Sequence, residues 1–234
     1  MYGDEMGKNL RQQRRGRGTP KYRYPSHRCI GSITYTNMPL SETGVVTDIV
    51  HARGRHTPVA VIDFAGKRRL TIANEGAQIG QIIGNDTNGS ILKLKDVPEC
   101  SNIYNIELIQ GDGGRLCRSS GAFATMISKE SGVCTILLPS KRKKVLSTEC
   151  LATVGTAASS GRTEKPFRKA GTRFYAMRAR GKLYPYVSGV AMNAVDHPFG
   201  GQTRPGKVKT VSRHASPGRK VGSISPRRTG RKKK

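Results

Sequence analysis

The chain has 234 residues, with 42 Lys and Arg against 15 Asp and Glu, a formal charge of +27, 35% hydrophobic residues and no Trp. That length allows one or two domains, and an apolar share below the roughly 45–50% of ordinary globular domains means that part of the chain stays outside any core. So large a positive charge needs a polyanion, a nucleic acid or an anionic membrane surface; no apolar run approaches the ~20 residues of a membrane span or the core of a signal peptide, so a soluble chain on nucleic acid is expected.

Residues 1–36 carry 8 basic and 2 acidic residues, net +6, and read as a basic N-terminal extension. In "RQQRRGRGTPKYRYPSHR" the cations Arg14, Arg15, Arg17, Lys21, Arg23 and Arg28 alternate with Gly and Pro. Gly lets backbone approach phosphates and Pro holds an extended path. Tyr22 is placed to stack on an unpaired base, and His27 to hydrogen-bond RNA.

Residues 37–161 are nearly balanced, 14 basic to 11 acidic, and can fold as globular protein. Segments 43–51, 57–66 and 68–74 are short, rich in Val, Ile and Thr, and punctuated by Gly, Pro and Asn, which predicts strands with a hairpin near Ala65-Gly66-Lys67. A second set, 102–109, 121–129, 132–139 and 143–150, includes a hairpin signal at "SKESGV". No long helical periodicity interrupts them. Two sets of short strands fit two small closed barrels, residues 37–86 and 87–161, because closure hides exposed strand edges. The loop "GDGGRLCRSSG" lacks the Lys-Ser/Thr of a phosphate-binding P-loop. It is either a wide turn or a surface setting Arg115, Arg118, Ser119 and Ser120 against a phosphate backbone.

Residues 162–234 carry 20 basic and 2 acidic residues, net +18, and read as a basic C-terminal extension of little regular structure. Its candidate RNA contacts are Arg178 and Arg180, then Arg213, Arg219 and Lys220, then Arg227, Arg228 and Arg231, since Arg forks fit phosphates and stack on bases. The stretch "GVAMNAVDHPFGG" adds Asn193, Asp196 and His197. Pro198 holds the preceding His extended, and Gly189, Gly200 and Gly201 permit tight turns.

Asp196-His197 invites a catalytic reading, because imidazole titrates near neutrality and a carboxylate can fix its tautomer. Adjacent side chains in extended backbone point apart, however, and no Ser or Cys nucleophile stands in a recognisable elbow. The five cysteines at 29, 100, 117, 134 and 150 form no CxxC pair, and His214 is not at zinc-ligand spacing from His197. No metal, cofactor or disulfide framework is expected. His197 is the one catalytic candidate, and the pattern favours RNA positioning over it. Composition alone leaves a general nucleic-acid architectural protein as a further class.

"GDGGRLCRSSGAFATMIS", "GVAMNAVDHPFGG" and "SPGRKVGSISPRRTGR" together closely resemble the universal large-ribosomal-subunit protein two family, and "RRGRGTPKYRYPSHR" is similar to its archaeal branch. The resemblance runs from about Met6 to the C-terminus, and such proteins begin at Met-Gly-Lys, so Met6 is an alternative start to Met1. It implies an all-β fold, an OB-type barrel followed by an SH3-like barrel, with extensions running into large-subunit rRNA. It further implies a primary rRNA binder, not an enzyme, linked to subunit association, tRNA binding and the peptidyl-transferase region. The implied partners are rRNA of the large subunit, neighbouring ribosomal proteins and small-subunit rRNA at the interface, with no homo-oligomer.

Overall fold

The computed structural model describes residues 8–35, 42–84, 88–201 and 209–228. Met1, Met6 and Arg231 lie outside them. The chain divides into two compact units, one from Pro25 to Arg180 and one formed by the two chain ends, up to Tyr24 and from Gly181.

The folded core of the larger unit is all-β, an OB-type barrel followed by an SH3-like barrel. Strands β1 (Gly44–Val50), β2 (Val59–Phe64), β3 (Lys67–Ile72) and β4 (Ile82–Ile83) form an antiparallel sheet in the order β3-β2-β1-β4. The β2–β3 hairpin pairs Phe64 with Lys67 and turns on Ala65 and Gly66, both at positive φ (47° and 84°), the two-residue turn that matches strand twist. Alternation sets the core: Val46, Ala60, Ile62, Phe64, Ala73 and Ile83 pack together, while Val45 and Ile82 face outward. A bulge between Val46 and Asp48 bends β1.

The second sheet runs β5-β10-β6-β7-β8-β9, with β5 (Ile91–Lys93), β6 (Asn102–Tyr104), β7 (Ala124–Glu130), β8 (Val133–Leu137), β9 (Lys143–Ser147) and β10 (Leu151–Val154). The SKESGV hairpin closes with Glu130 opposite Val133. Met126, Ile136, Leu94 and Ile103, none of them solvent-accessible, centre its core. The sequence predicts a strand over 102–109, but β6 stops at Tyr104 because Asn105 takes a left-handed conformation (φ 51°). The chain stays buried through Glu107 even so.

A third cluster joins the two sheets: Ile33, Ala52, Val59, Ile72, Tyr104 and Ala157. The Tyr104 hydroxyl donates to the Ile72 carbonyl at 3.0 Å, so the second sheet is bonded directly to the first. Ile33 and Tyr35 are buried here, so residues 25–35 belong to this unit although their composition resembles the extension. Apolar spacing, not charge, decides their placement. Beyond the barrels, α2 (Ala170–Ala179) is helical with no buried residue, and without an apolar stripe the sequence carries no signal for it.

In the smaller unit, α1 (Arg11–Gly16) precedes short 3-10 turns, and β11 (Thr210–Val211) pairs in parallel with β12 (Ser223–Ile224). Among the described residues, Leu10 and Val221 are its buried apolar ones.

Ile62 is fully buried at the centre of the first core. Ile62→Ala is expected to lower unfolding free energy by about 2–5 kcal/mol, read by urea denaturation at constant salt.

Candidate nucleic-acid interface

The loop between β6 and β7 is built around a buried acid. Glu107 has no exposed surface, and its carboxylate accepts the backbone N–H groups of Gly111 (3.3 Å), Gly113 (3.0 Å) and Leu151 (2.9 Å). Asp112 accepts from Leu108 and Gly114 at 3.1 and 3.2 Å. Gly114, at φ +88°, lies so close to Asn105 that a Cβ would sit 2.5 Å from its Oδ1; only Gly fits. The loop is therefore a fixed turn held from beneath by two carboxylates.

This geometry sorts the four loop residues. Arg115 is exposed, its Nε 3.8 Å from Asp112, and Ser119 is exposed as well. Arg118 turns inward, its two terminal nitrogens donating at 2.8 Å to the carbonyls of Gly114 and Ile33. Burial pulls its pKa below the ordinary arginine value. Ser120 is buried and accepts from Arg162 Nε at 2.6 Å. Arg115 and Ser119 thus present groups outward, whereas Arg118 and Ser120 tie loop to barrel.

The smaller unit brings together residues nearly two hundred positions apart. Lys8 N–H donates to the Val195 carbonyl at 3.0 Å, and Lys8 Nζ stands 3.3 Å from Asp196 Oδ1. Arg11 Nη2 donates to the Val187 carbonyl at 2.9 Å, and its guanidinium lies 4.4 Å over the Tyr186 ring. A cation–π contact of this kind stabilises by about 0.5–1 kcal/mol when exposed. Lys8, Arg11 and Tyr186 carry no motif of their own, and sequence reasoning passed over them.

His197 sits between two turns: its own N–H and that of Asp196 donate to the Asn193 carbonyl, and its carbonyl accepts from Gly200 at 2.8 Å. Asn193 itself is exposed. The Phe199 N–H donates to His197 Nδ1 at 3.0 Å. In the neutral ring the proton is therefore on Nε2. A Cβ on Gly189 would come closer to three imidazole atoms than any real contact allows, so the ring packs directly against bare backbone. Desolvation, then the Arg11 charge, lowers the His197 pKa from its ordinary 6.5. Asp196 faces Lys8 through Oδ1, and among the described contacts no hydrogen bond joins its carboxylate to the adjacent imidazole.

The other arm residues present cations outward. Arg14 and Arg15 are exposed on α1, and Arg17, Lys21 and Arg23 follow them, with Tyr22 half-buried. Lys8, Arg14, Arg17 and Lys21 rim an open cleft of about 500 Å³ beside Tyr22. His27 and Arg28 are exposed on the 3-10 turn Ser26–Arg28 of the larger unit. At the end of α2, Arg178 is exposed and Arg180 half-buried. Arg213 Nε approaches His214 Nε2 at 3.5 Å, and Arg219, Lys220, Arg227 and Arg228 are exposed. Among the described residues no group of three or more His, Cys, Asp or Glu is placed to hold a metal ion, and no helix is long and apolar enough to cross a membrane.

With about 1–3 kcal/mol lost for each buried donor left unpaired, Glu107→Ala is expected to lower stability by about 3 kcal/mol or more in urea unfolding, and Glu107→Gln by less. The neutral form of His197 stabilises its loop: that contribution is complete above pH 6.5 and falls as pH drops toward the lowered folded-state pKa. Imidazole NMR titration should give a midpoint below 6.5, and Arg11→Met should move it upward.

Residues 87–220 match the family model for the C-terminal domain of Ribosomal Proteins L2. The chain is 49% identical over 241 residues to the large ribosomal subunit protein uL2 of Methanothermobacter thermautotrophicus, covering 97% of this chain and all of the relative. Its counterparts in Methanococcus maripaludis (strain C5) and Methanobrevibacter smithii are 48% and 47% identical over 240 and 241 residues, with the same coverage. On a family model spanning more than half the chain and relatives alike over nearly all of it, the chain belongs to the uL2 family of large ribosomal subunit proteins.

Proposed function

We propose that the chain is a structural constituent of the large ribosomal subunit in the cytoplasm and binds its rRNA. Full-length similarity to proteins of that name carries the reading. The distribution of charge supports it: a nearly balanced pair of barrels, and chain ends whose arginines stand exposed. Phosphate contacts come from Arg14, Arg15, Arg17, Lys21 and Arg23, from Arg115, and from the exposed cations after Arg178. Such contacts fix position without reading sequence. Tyr22, Asn193 and His197 supply the base-directed groups. Arg118 and Ser120 act indirectly, by holding the loop that presents Arg115 and Ser119.

On this reading, residues 1–36 and 162–234 carry most of the rRNA-binding cations, and 37–86 and 87–161 the strands of the two barrels. The chain supports subunit association, tRNA binding and the peptidyl-transferase region, beside neighbouring ribosomal proteins and small-subunit rRNA at the interface. It acts without chemistry of its own. His197, its Nδ1 engaged by backbone and its ring packed on Gly189, is a positioned hydrogen-bond donor.

The full chain is expected to cosediment with large subunits through ~0.5 M salt; recovery mainly on DNA would sink the ribosomal reading. In binding to isolated large-subunit rRNA, the salt dependence should weaken by about 0.9 for each phosphate contact removed, so Arg14→Gln with Arg17→Gln should lower the slope by about 2. Subunits carrying His197→Gln should keep peptidyl transfer within about tenfold, since a ~10³-fold loss is the mark of a catalytic group.

A further inference from the structure

We propose that the cleft between α1 and the 186–197 loop is the seat of a single unpaired guanine nucleotide of the rRNA. The proposal rests on the ribosomal reading and specifies what one part of that surface holds. The cleft measures about 290 Å³, with Arg11, Gln12 and Arg14 on one wall and Tyr186, Asp196 and His197 on the other. That is room for one base and its ribose, not for a duplex. Proteins read RNA sequence at such places, where an unstacked base is splayed out onto aromatic rings or guanidinium planes.

The walls offer what a base needs. Tyr186 is 71% exposed, and the Arg11 guanidinium covers one of its faces, so a flat stack exists with surface still open. Stacking of a base on an aromatic ring is general to all four bases. Arg11 Nη1 is buried and has no partner among the described residues, a desolvated donor that a phosphate or ribose oxygen would satisfy. Arg14, exposed at the same rim, adds charge for the phosphate.

Asp196 selects the base. A carboxylate in a cleft facing RNA repels phosphate, so its presence among cations calls for a donor-rich ligand group. Lys8 faces Oδ1, and a carboxylate retains lone pairs on both oxygens. The Watson–Crick edge of guanine presents two adjacent donors, N1–H and the N2 amino group, which match two carboxylate oxygens. Adenine, cytosine and uracil each place an acceptor next to their single donor and leave one oxygen opposed by a lone pair. The same carboxylate argues against an acidic peptide as occupant.

The test is kethoxal modification of guanine N1 and N2 in large subunits purified from cells carrying the wild-type or variant full-length chain. One guanine should be protected by the wild-type chain and become at least about fivefold more reactive with Asp196→Asn, a loss on the scale of one good interaction. Tyr186→Ala should expose the same guanine, and Tyr186→Phe should keep it protected. Quantitative mass spectrometry of the same subunits follows retention of the chain. If Asp196→Asn subunits lack the chain, the Tyr186→Ala and Tyr186→Phe pair decides. Retention with no guanine gaining reactivity overturns the proposal and leaves the ribosomal reading intact. So does a change that appears instead at an adenine or cytosine under dimethyl sulfate. Absence of the wild-type chain from large subunits overturns both.

Discussion

Repulsion among 42 cations is the constraint on which the rest of this structure depends. Few carboxylates oppose them, and several of the described ones hold other parts of the chain in place. Glu107 gathers three N–H groups beneath the Gly-rich loop. Glu75, after β3, accepts from the hydroxyls of Thr156 and Ser160, which hold its pKa below the usual carboxylate range. Glu149 lies between Lys93 and Lys95 at 2.7 and 3.3 Å. Asp196 holds Lys8. Each of these acids joins separate stretches of chain, and the large excess of cations remains to face a polyanion.

Fold class was legible because it rests on short-range pattern. The β2–β3 and β7–β8 hairpins follow from a turn between β-branched runs, and both close where the sequence indicates. The short strands β4, β5 and β10 were not legible: two to four residues carry no periodicity, and only pairing defines them, β4 with β1 and β10 with both β5 and β6. Nor was the burial of Ile33 and Tyr35, since a few apolar residues after a basic stretch do not reveal which core they join.

The candidate site was legible as composition and illegible as geometry. Arginine spacing marks exposed cations, but nothing in "GRLCRSS" tells that Arg118 and Ser120 turn inward while Arg115 and Ser119 do not. That depends on the carbonyl of Ile33, eighty-five positions away. Glu107 did leave a trace, one acid in the apolar run "NIYNIELI", and a lone charge in a buried run signals a backbone clamp. The docking of Lys8 and Arg11 on residues 186–196 left none, because its hydrogen bonds go to main-chain carbonyls that any residue supplies.

The cluster shared by the two sheets also sets an order of events during synthesis. The first sheet is complete in sequence at Ile83, yet its core and edges are finished by chain that emerges much later: Tyr104 bonds Ile72, Asn74 bridges Ala157, and Ala158 N–H donates to Ala73. A ribosome making this protein must add some seventy more residues, at about 5–20 residues per second, before the first barrel can close. For those seconds the inner face of β2 and β3, lined by Ala60, Ile62 and Phe64, is an open, apolar sheet. The protein's first barrel is thus a template that its own later sequence completes, and the interval before completion is when a chaperone that grips apolar chain has most to gain by holding it.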